Sequence, residues 1–340
     1  MVRTGRALIA WVSLALAACG PAAEVTPPAQ AQTQPQPQVK PMTRGINILT
    51  DDPFWRNQAQ GRFRLDHLAR IKQGGFDTVR VLLHGFEQMD AEHRLDPAWL
   101  ATLDKVVAAA LAQKLTVILD EHDYTPCGEN ADACKPRLMA FWRQIAERYK
   151  DADDAVVFEI LNEPNGQLTD AVWNTWLVEA LAVIRQTNPN RSVVIGPTSW
   201  NGIDHLDGLN LPESDRHIIA TVHYYLPIEF THQGAWWISP VPKTGVTWGT
   251  RVERLRMKAD FALVQRWAKA HDRPILLGEF GAYEKGDMAS RVAYTAAAAR
   301  EAEALGWAWT YFQFDPDFAA FDMKTDSWVM PIYDALIPKN

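Results

Sequence analysis

Short apolar segments recur eight times between residues 44 and 314, and amphipathic segments separate most of them. Segments that are apolar on both faces are typical of parallel strands covered by helices, and parallel strands need a long crossover between them. Eight such strands alternating with helices predict a single (β/α)8 barrel, the TIM barrel, over residues 42–340. The predicted strands are 44–49, 76–83, 115–122, 155–162, 192–196, 217–225, 273–279 and 306–314.

Apolar residues at helical spacing predict the helices, and one helix has Pro97 in its first turn, where proline is favoured. The segment that contains Cys127 and Cys134 is predicted as a loop. A doubly wound open sheet is the alternative to the barrel, but no Gly-x-Gly-x-x-Gly motif follows the first strand. The predicted helices are 62–73, 97–113, 136–149, 169–186, 250–270 and 287–304.

Two glutamates end strongly apolar strands. Glu163 follows the apolar run 155–161, and Glu279 follows the run 274–277. A single glutamate at a strand end is more often part of a salt bridge at the rim. Two of them in partly desolvated positions indicate a carboxylate pair, because desolvation adjusts a carboxyl group for acid and base chemistry. We therefore expect both glutamates at the same end of the barrel.

Further polar side chains are predicted at the strand ends where the active sites of TIM barrels lie. A histidine taken alone is more often a satisfied core residue, but the joint placement of these residues favours a functional site. The histidines are spread over different strands, without the paired spacing typical of zinc or calcium ligands, so neither a metal nor a cofactor is expected. The residues are Arg80, His122, Asn162, His223 and Tyr225.

The order of these residues along the chain resembles glycoside hydrolase family 5, and the resemblance covers nearly all of residues 42–340. In that family an acid/base glutamate ends strand 4 and a nucleophilic glutamate ends strand 7. The resemblance implies a retaining hydrolase with Glu163 as the acid/base and Glu279 as the nucleophile. It is carried by Val79-Arg80-Val81, His122, Asn162-Glu163-Pro164, His223-Tyr224-Tyr225 and Glu279-Phe280-Gly281.

The resemblance also implies roles for the neighbouring side chains. Tyr225 would donate a hydrogen bond to the nucleophile, and Asn162 would hold the 2-hydroxyl of the sugar. His122 and His223 would position the substrate or the carboxylates.

The two glutamates must differ in protonation. Arg80 near Glu279 would favour the charged carboxylate, whereas Glu163 in a more apolar setting would stay protonated. Retention of configuration requires carboxyl groups about 5 to 5.5 Å apart, against about 6.5 to 9.5 Å for inversion.

Aromatic residues near the strand ends are candidates for stacking on sugar rings. The segment 223–237 is similar to the strand 6 loop of bacterial endoglucanases of the family, which implies that Trp237 is a sugar platform. Trp200 resembles a residue at the rim of strand 5, with ordinary rim packing as the alternative.

Two positions depart from the family pattern. By its spacing from the nucleophile, Phe312 takes the place of the family's platform tryptophan, and strand alternation puts Trp309 on the opposite face. The segment 50–55 differs from the family's sugar-contacting stretch after strand 1.

An internal β-1,4-linked glucan is the expected substrate, which predicts an endoglucanase or cellulase. A β-mannanase, glucomannanase or xyloglucanase is the alternative, because changes in the strand loops decide that choice. A non-catalytic carbohydrate-binding barrel is a second alternative, although the presence of both glutamates argues against it. His84, His205 and His232 lie near the predicted mouth and stay open between a loop role and a subsite role.

The N-terminus has the pattern of a bacterial lipoprotein signal peptide, assigned to residues 1–18. Arg3 and Arg6 precede the apolar run 7–18, which is too short for a membrane span and ends next to Cys19. The resemblance to a lipobox implies a lipidated Cys19 and an outer-membrane anchor, with a plain secreted protein as the alternative. Residues 19–41 are rich in Pro and Gln and predict an extended tether.

The net charge and the cysteine content limit the classes of binding partner that the sequence predicts. Without Arg3 and Arg6, the 34 basic residues fall to 32 against 41 acidic ones, which changes the net charge from -7 to -9. This balance disfavours binding to nucleic acid and to anionic lipid surfaces. We expect a monomer whose partner is its polysaccharide substrate and which contacts a membrane only through the lipid anchor. Cys127 and Cys134 can close a short disulfide in an oxidising compartment, whereas a zinc site would need more ligands.

Overall fold

Strands and helices alternate along the chain and close into a barrel in the computed structural model, which describes residues 42–49 and 52–339. Eight parallel strands pair in sequence order, and the eighth strand pairs with the first. The predicted (β/α)8 barrel is therefore confirmed. The predicted signal peptide, the tether with Cys19, and residues 50 and 51 lie outside the described residues.

Every barrel strand overlaps a predicted apolar segment, and most strands are shorter than predicted. The fourth strand ends at Glu159 rather than at residue 162, so Glu163 lies in the loop beyond it. The strands are β1 (Arg44–Ile48), β2 (Thr78–Leu83), β3 (Thr116–Glu121), β4 (Val156–Glu159), β5 (Val193–Ile195), β6 (Ile218–Tyr224), β7 (Ile275–Phe280) and β8 (Ala308–Tyr311), with a small antiparallel pair β9 (Phe321–Asp322) and β10 (Ser327–Trp328).

The longer helices match their predicted ranges closely. The helices are α1 (His67–Gln73), α2 (Pro97–Ala112), α3 (Tyr124–Glu129), α4 (Ala131–Arg148), α5 (Asp170–Arg185), α6 (Thr198–Asn201), α7 (Ile228–Thr231), α8 (Arg251–His271), α9 (Met288–Ala304) and α10 (Met330–Leu336). Short 3-10 helices cover Pro53–Trp55, Gln58–Gln60, Gly85–Gln88 and Ile203–Gly208. Among the described residues, no helix is long and apolar enough to span a bilayer.

The predicted loop after β3 is mostly helical, because α3 and the first turn of α4 occupy it. Asn130 caps α4 through its Oδ1, which accepts a hydrogen bond from the Ala133 N–H at 3.1 Å, and α4 therefore begins before the predicted residue 136. A disulfide joins Cys127 in α3 to Cys134 in α4, with the Cα atoms 4.9 Å apart. The two helices after β3 are thus cross-linked.

Alternation along the strands divides their side chains between the inside of the barrel and the helices outside. The apolar layer inside is formed by Ile118, Val157, Val194, Ile219 and Leu276. Two residues further along β3 and β4, Asp120 and Glu159 have the same strand parity and are fully buried. The inside of the barrel is therefore apolar toward the N-terminal strand ends and charged toward the C-terminal strand ends.

Candidate active site

The loop after β4 holds Glu163 in an uncommon backbone conformation. Its φ is +42°, in the left-handed region that non-glycine residues rarely adopt. Asn165 Nδ2 donates to the Glu163 carbonyl at 2.8 Å, and the Trp200 N–H donates to the Pro164 carbonyl at 3.3 Å. Such strain persists only where the surroundings hold it, and it is concentrated at functional sites.

A β-bulge orients Glu279 on β7. Val222 pairs with Leu277 and His223 pairs with Glu279, so Gly278 is an extra residue without a partner on β6. Bulges of this kind redirect side chains next to active sites. A Cβ at Gly278 would lie 2.9 Å from His223 Nε2, so a larger residue cannot occupy this position without displacing the histidine.

Glu163 and Glu279 meet at His223. The Nδ1 atom of His223 lies 2.8 Å from Glu163 Oε1 and 3.6 Å from Glu279 Oε2. One carboxylate oxygen of Glu163 and one of Glu279 are within 4.8 Å of each other. The separations that distinguish the two mechanisms are measured between whole carboxyl groups, about 6.5 to 9.5 Å for inversion and about 5 to 5.5 Å for retention, and an oxygen contact within 4.8 Å favours the shorter, retaining range.

Glu163, His223 and Glu279 also form a group of donor atoms that could hold a metal ion within the described part of the chain. The spacing along single strands did not anticipate this convergence of three different elements. However, Arg80 Nη1 donates to Glu279 Oε1 at 2.7 Å, and the Tyr225 hydroxyl donates to Glu279 Oε2 at 3.0 Å. These donors compete with a cation for the lone pairs of Glu279, so the arrangement suits proton transfer better than metal binding.

Burial raises the pKa values of both glutamates. The pKa of Glu163 rises to about 8, with desolvation as the main cause and Arg80 opposing it. The pKa of Glu279 rises to about 7, because desolvation outweighs the lowering by His223 and Arg80. Arg80 therefore favours the charged form of Glu279 without bringing its pKa down to the ordinary value. Glu279 still loses its proton before Glu163 does.

Arg80 is fully buried and binds acceptors on four residues besides Glu279. Its Nε donates to Glu159 Oε2 at 2.7 Å, and its Nη1 donates to Asn47 Oδ1 at 2.8 Å. Its Nη2 lies 2.8 Å from Asn162 Oδ1 and 3.0 Å from Asp120 Oδ2. The guanidinium thus orients Asn162, the residue before Glu163, as well as the second carboxylate of the pair.

Sequence reasoning missed Asn47, Asp120 and Glu159. Each lies on a strand that the apolar pattern located correctly, and a buried arginine inside a barrel requires acceptors. The strand register brings these residues together, since Asn47 is the neighbour of Arg80 across β1 and β2, and Asp120 is the neighbour of Glu159 across β3 and β4.

His122 lies beside this network. Its Nδ1 is 2.6 Å from Asp120 Oδ2. Burial is the main reason why the pKa of His122 falls well below its usual value, and Arg80 and His84 lower it further. Neutral His122 therefore donates its Nδ1 hydrogen to Asp120, which fixes the ring orientation at the end of β3.

Both candidate platform tryptophans, on separate loops, have exposed rings, as does Trp236. Trp200 follows β5 and is 55% exposed, and Trp237 is 41% exposed. The ring of Trp237 lies 6.3 Å from the ring of His232, which in turn lies 4.8 Å from the ring of Tyr225. Because Tyr225 binds Glu279, Trp237 is two aromatic contacts away from the carboxylate pair.

Phe312 follows β8 and is half-buried. Its ring lies 5.5 Å from the ring of Phe318 and 6.4 Å from the ring of Tyr225. Trp309 is fully buried on the other face of β8, where it packs against Phe280 at 5.7 Å, and it cannot replace Phe312 as a platform.

The remaining candidate histidines have different surroundings. His84 Nδ1 is 3.4 Å from Asp123 Oδ1, and the His84 ring lies 5.5 Å from the ring of His122, at the edge of the site. His205 lies in the segment after β5, and its Nδ1 is 3.7 Å from Asp170 Oδ1. Burial lowers the pKa of His232 to about 4, so this ring is neutral next to Tyr225.

Comparison with known sequences decides the family. The profile of the cellulase family, glycosyl hydrolase family 5, matches residues 37–315. The chain belongs to glycosyl hydrolase family 5. The resemblance drawn from the strand-end residues is thereby confirmed, and both glutamates lie within the matched range.

Relatives in this family include several endoglucanases. Endoglucanase H of Acetivibrio thermocellus is 29% identical over 326 residues, which cover 92% of this chain and 35% of that protein. Endoglucanase A of Clostridium longisporum is 27% identical over 83% of this chain and 58% of its own length. The chain thus spans between about a third and three fifths of the first curated relatives it matches.

Solved structures of family 5 enzymes superpose closely on the barrel. Endoglucanase Cel5A of Thermotoga maritima is 36% identical, with a TM-score of 0.83 over 87% of this chain and 97% of that one. That enzyme has been solved with cellobiose and with mannotriose.

Proposed function

We propose that the chain is a retaining endo-β-1,4-glucanase in which Glu163 is the acid/base and Glu279 is the nucleophile. The observation that carries this proposal is the short separation of the two carboxylates, within 4.8 Å between their nearest donor oxygens, inside a family 5 barrel. Their surroundings differ in the sense that the reaction requires, because Arg80 and Tyr225 bind Glu279 while His223 binds Glu163.

In the first step, Glu163 gives its proton to the glycosidic oxygen as the bond from that oxygen to the anomeric carbon breaks. A carboxylate oxygen of Glu279 attacks the anomeric carbon from the opposite face and forms a covalent glycosyl-enzyme. The raised pKa of Glu163, about 8, keeps the acid protonated near neutral pH. The aglycone leaves as an alcohol.

In the second step, Glu163 is a carboxylate and takes a proton from water as the water oxygen attacks the anomeric carbon. The bond to Glu279 breaks, and the sugar is released with its original configuration. Two inversions at the same carbon give net retention. As the bond to the sugar breaks, Glu279 becomes a carboxylate again, and Arg80 and Tyr225 stabilise it with the same hydrogen bonds as before the reaction.

The neighbouring polar residues hold the carboxylates and the substrate in place. Asn162 is fixed by Arg80, and its amide is assigned to the 2-hydroxyl of the bound sugar, where a hydrogen bond strengthens in the transition state. His122 is oriented by Asp120 at the end of β3 and is assigned to substrate positioning.

The substrate class rests on the relatives and on the open aromatic rings. Most of the similar curated proteins are named endoglucanases, and exposed Trp200 and Trp237 offer faces on which the C–H surface of a glucose ring can stack. Mannan is the second candidate, because Cel5A of Thermotoga maritima has been solved with mannotriose as well as cellobiose. Phe312, in place of a larger tryptophan, reduces the stacking face after β8.

Variants of the two glutamates test the proposal on a panel of β-glucans, mannans and xyloglucan, together with an aryl cellobioside that has a good leaving group. Glu279→Gln should abolish turnover of every substrate while retaining polysaccharide binding. Glu163→Ala should lower kcat on polysaccharide by about 10²- to 10⁴-fold, because general acid catalysis is lost, yet it should still form the glycosyl-enzyme from the activated substrate.

Glu284→Gln is the matched control, since this glutamate follows the same strand but has a half-exposed side chain. It should retain full activity. Unchanged turnover in Glu279→Gln would overturn the mechanism, and equal losses on both kinds of substrate in Glu163→Ala would remove Glu163 from the acid role.

We also propose that the chain is exported and anchored through lipid on Cys19, with residues 20–41 as a tether. The sequence of the N-terminus supports this proposal, and the disulfide between Cys127 and Cys134 fits an oxidising compartment. Expression of Cys19→Ser in a Gram-negative host should move the enzyme from the membrane fraction to the soluble fraction. Retention of this variant in the membrane fraction would contradict the anchor.

A further inference from the structure

Three consecutive non-glycine residues adopt left-handed backbone conformations directly after β5. The φ angles of Ser199, Trp200 and Asn201 are 56°, 58° and 54°. Each such residue costs about 1–2 kcal/mol for an L-amino acid, and left-handed residues normally occur singly. A run of three therefore persists only where the packing around it holds the turn, and its position beside the carboxylate pair indicates a role there.

The turn sends successive side chains to opposite environments. Trp200 is 55% exposed, whereas Asn201 is fully buried. The Trp200 N–H donates to the carbonyl of Pro164, the residue after Glu163, at 3.3 Å. The Nδ2 atom of Asn201 lies 3.2 Å from Nε2 of His223, the histidine that binds Glu163. The turn thus contacts both the backbone and the side-chain partner of Glu163.

The contact between Asn201 and His223 determines where the imidazole carries its hydrogen. The amide nitrogen of asparagine can only donate, so His223 Nε2 must be the acceptor, and a neutral ring then carries its hydrogen on Nδ1. That hydrogen is directed at Glu163 Oε1, which lies 2.8 Å away. Asn201 Oδ1 is buried without a hydrogen-bond partner among the described residues and faces Gly196, where even a Cβ would lie 2.1 Å from it, so the amide is confined by packing on that side.

The carbonyl oxygen of a protonated carboxyl group is a stronger acceptor than its hydroxyl oxygen, so a hydrogen bond donated to Oε1 favours the proton on Oε2. We propose that Asn201 is a positioning residue for the catalytic acid, because it holds His223 as the Nδ1–H tautomer and thereby places the proton of Glu163 on Oε2. The same Nδ1–H stabilises the Glu163 carboxylate once the proton has been given to the leaving group. This inference rests on the proposed role of Glu163 as the acid.

The charge of His223 responds to several groups around it. These are Glu163, Glu279, Glu159, Arg80 and His122. Burial lowers the pKa of His223 to about 4, which keeps the ring neutral in the working range of a pair with higher pKa values. Substitutions at Asn201 leave all five neighbours in place, so their effects on pH dependence report on the contact with Nε2.

A spectroscopic test does not require activity. In protein labelled with ¹⁵N-histidine, the two ring nitrogens of His223, assigned by their loss in His223→Gln, should show a hydrogen on Nδ1 and none on Nε2. In Asn201→Asp the carboxylate can only accept, so Nε2 should become protonated. A hydrogen on Nε2 in the unmodified protein would overturn the proposal.

A kinetic test compares variants of the same turn. Asn201→Leu has nearly the same size and cannot donate, so it should lower kcat on cello-oligosaccharides by about tenfold, as expected for the loss of one hydrogen bond of about 1.4 kcal/mol, with little change in KM. For an activated aryl cellobioside, whose leaving group needs no proton, kcat/KM reports only formation of the glycosyl-enzyme and should stay nearly unchanged. Asn201→Asp should favour imidazolium, lower the pKa of Glu163 and move the alkaline limb of kcat/KM to lower pH.

Ser199→Gly is the matched control, because it keeps the left-handed turn and the Asn201 side chain. It should leave both substrates and the pH profile unchanged. Equal losses on both substrates in Asn201→Leu, or an unmoved alkaline limb in Asn201→Asp, would contradict the positioning role. The proposed function fails separately, through inactive wild-type protein or an active Glu279→Gln variant, so the two failures are distinguishable.

Discussion

Arg80 donates to Glu279 Oε1 from Nη1 at 2.7 Å while its Nε holds Glu159 at the same distance. One planar guanidinium therefore connects β2 to β4 and β7 inside the barrel. The fork of Arg80 provides directions that a lysine ammonium cannot reproduce, since the latter is a single charge on a flexible stem. The position of Glu279, the proposed nucleophile, thus depends on Arg80, which lies three strands away along the barrel wall through β8 and β1.

Arg80→Lys should lower kcat/KM on both polysaccharide and activated aryl substrates by about 10²-fold, because the nucleophile is held incorrectly in each case. Arg80→Met should also destabilise the fold by about 3–5 kcal/mol, since it leaves buried carboxylates without a partner. Arg44→Lys is the control, as this arginine pairs with Glu303 at the barrel exterior. A loss confined to substrates that need a proton would contradict the assignment of Arg80 to the nucleophile.

The pH profile of kcat/KM should be bell-shaped with a maximum near neutrality. Glu279 must be ionised, so activity rises as pH increases through its pKa of about 7. Glu163 must be protonated, so activity falls as pH increases through its pKa of about 8. The pair titrates as a coupled unit, and Glu163→Gln should remove the alkaline limb on an activated substrate. An alkaline limb that survives this substitution would contradict the acid assignment.

Glu121→Gln should become progressively more stabilising, relative to the unmodified protein, as pH rises. Glu121 is fully buried, and burial together with Asp123 raises its pKa well above the usual value. Because the pKa of Glu121 is higher in the folded state than in the unfolded chain, its proton stabilises the fold at low pH. This stabilisation is lost as pH rises from the unfolded-state pKa toward the folded-state pKa. Thermal unfolding from about pH 5 to about pH 9 measures this difference.

Exposed Glu87, which pairs with Arg56, is the control for Glu121, and Glu87→Gln should show no such trend. A constant difference in Tm between Glu121→Gln and the unmodified protein across the pH range would contradict a raised pKa at this position.

Replacing Cys127 and Cys134 together with alanine should lower the free energy of unfolding by about 2–3 kcal/mol, as expected for a short closed loop. It should also slow polysaccharide hydrolysis, because the Gly128 carbonyl in the cross-linked segment accepts a hydrogen bond from the Gln167 N–H at 2.8 Å, four residues after Glu163. Denaturant unfolding and kcat measure the two effects. A reductant should reproduce both in the unmodified protein and change neither in the double variant.

Trp237→Ala should raise KM for cello-oligosaccharides by about three- to tenfold with little change in kcat, since an aromatic stacking contact contributes about 0.5–1.5 kcal/mol. Leu263→Ala is the control, because this exposed residue lies in the second half of α8, which runs toward the opposite end of the barrel from the C-terminal strand ends. A fall in kcat at constant KM would assign Trp237 to holding His232 rather than to binding sugar.

The apolar pattern predicted the strands well because each barrel strand is buried on both faces. This requirement can be read from the residues of one segment alone. The acceptors of Arg80 were missed because register is not local. Asp120 and Glu159 become neighbours only after β3 and β4 have paired, and no property of either segment alone indicates it.

Two backbone irregularities set the geometry of the candidate site, and simple alternation could not reveal either. The extra residue Gly278 decides which side chain of β7 faces His223. The left-handed turn after β5 delivers Asn201 to that same histidine, although three non-glycine residues in this conformation contradict their intrinsic preference. Local preference fails here because the tertiary packing holds the strained backbone.

The groups around Arg80 also set the sign of the electric field at the barrel mouth. A single guanidinium contacts Asp120, Glu159 and Glu279, so carboxylates outnumber the cation within this cluster. The sugar in a glycosidase transition state develops positive charge near the anomeric carbon. In the proposed mechanism, carboxylate charge that is already held by hydrogen bonds to Arg80 would stabilise this positive charge without rearrangement, as a preformed counterion for the oxocarbenium-like sugar.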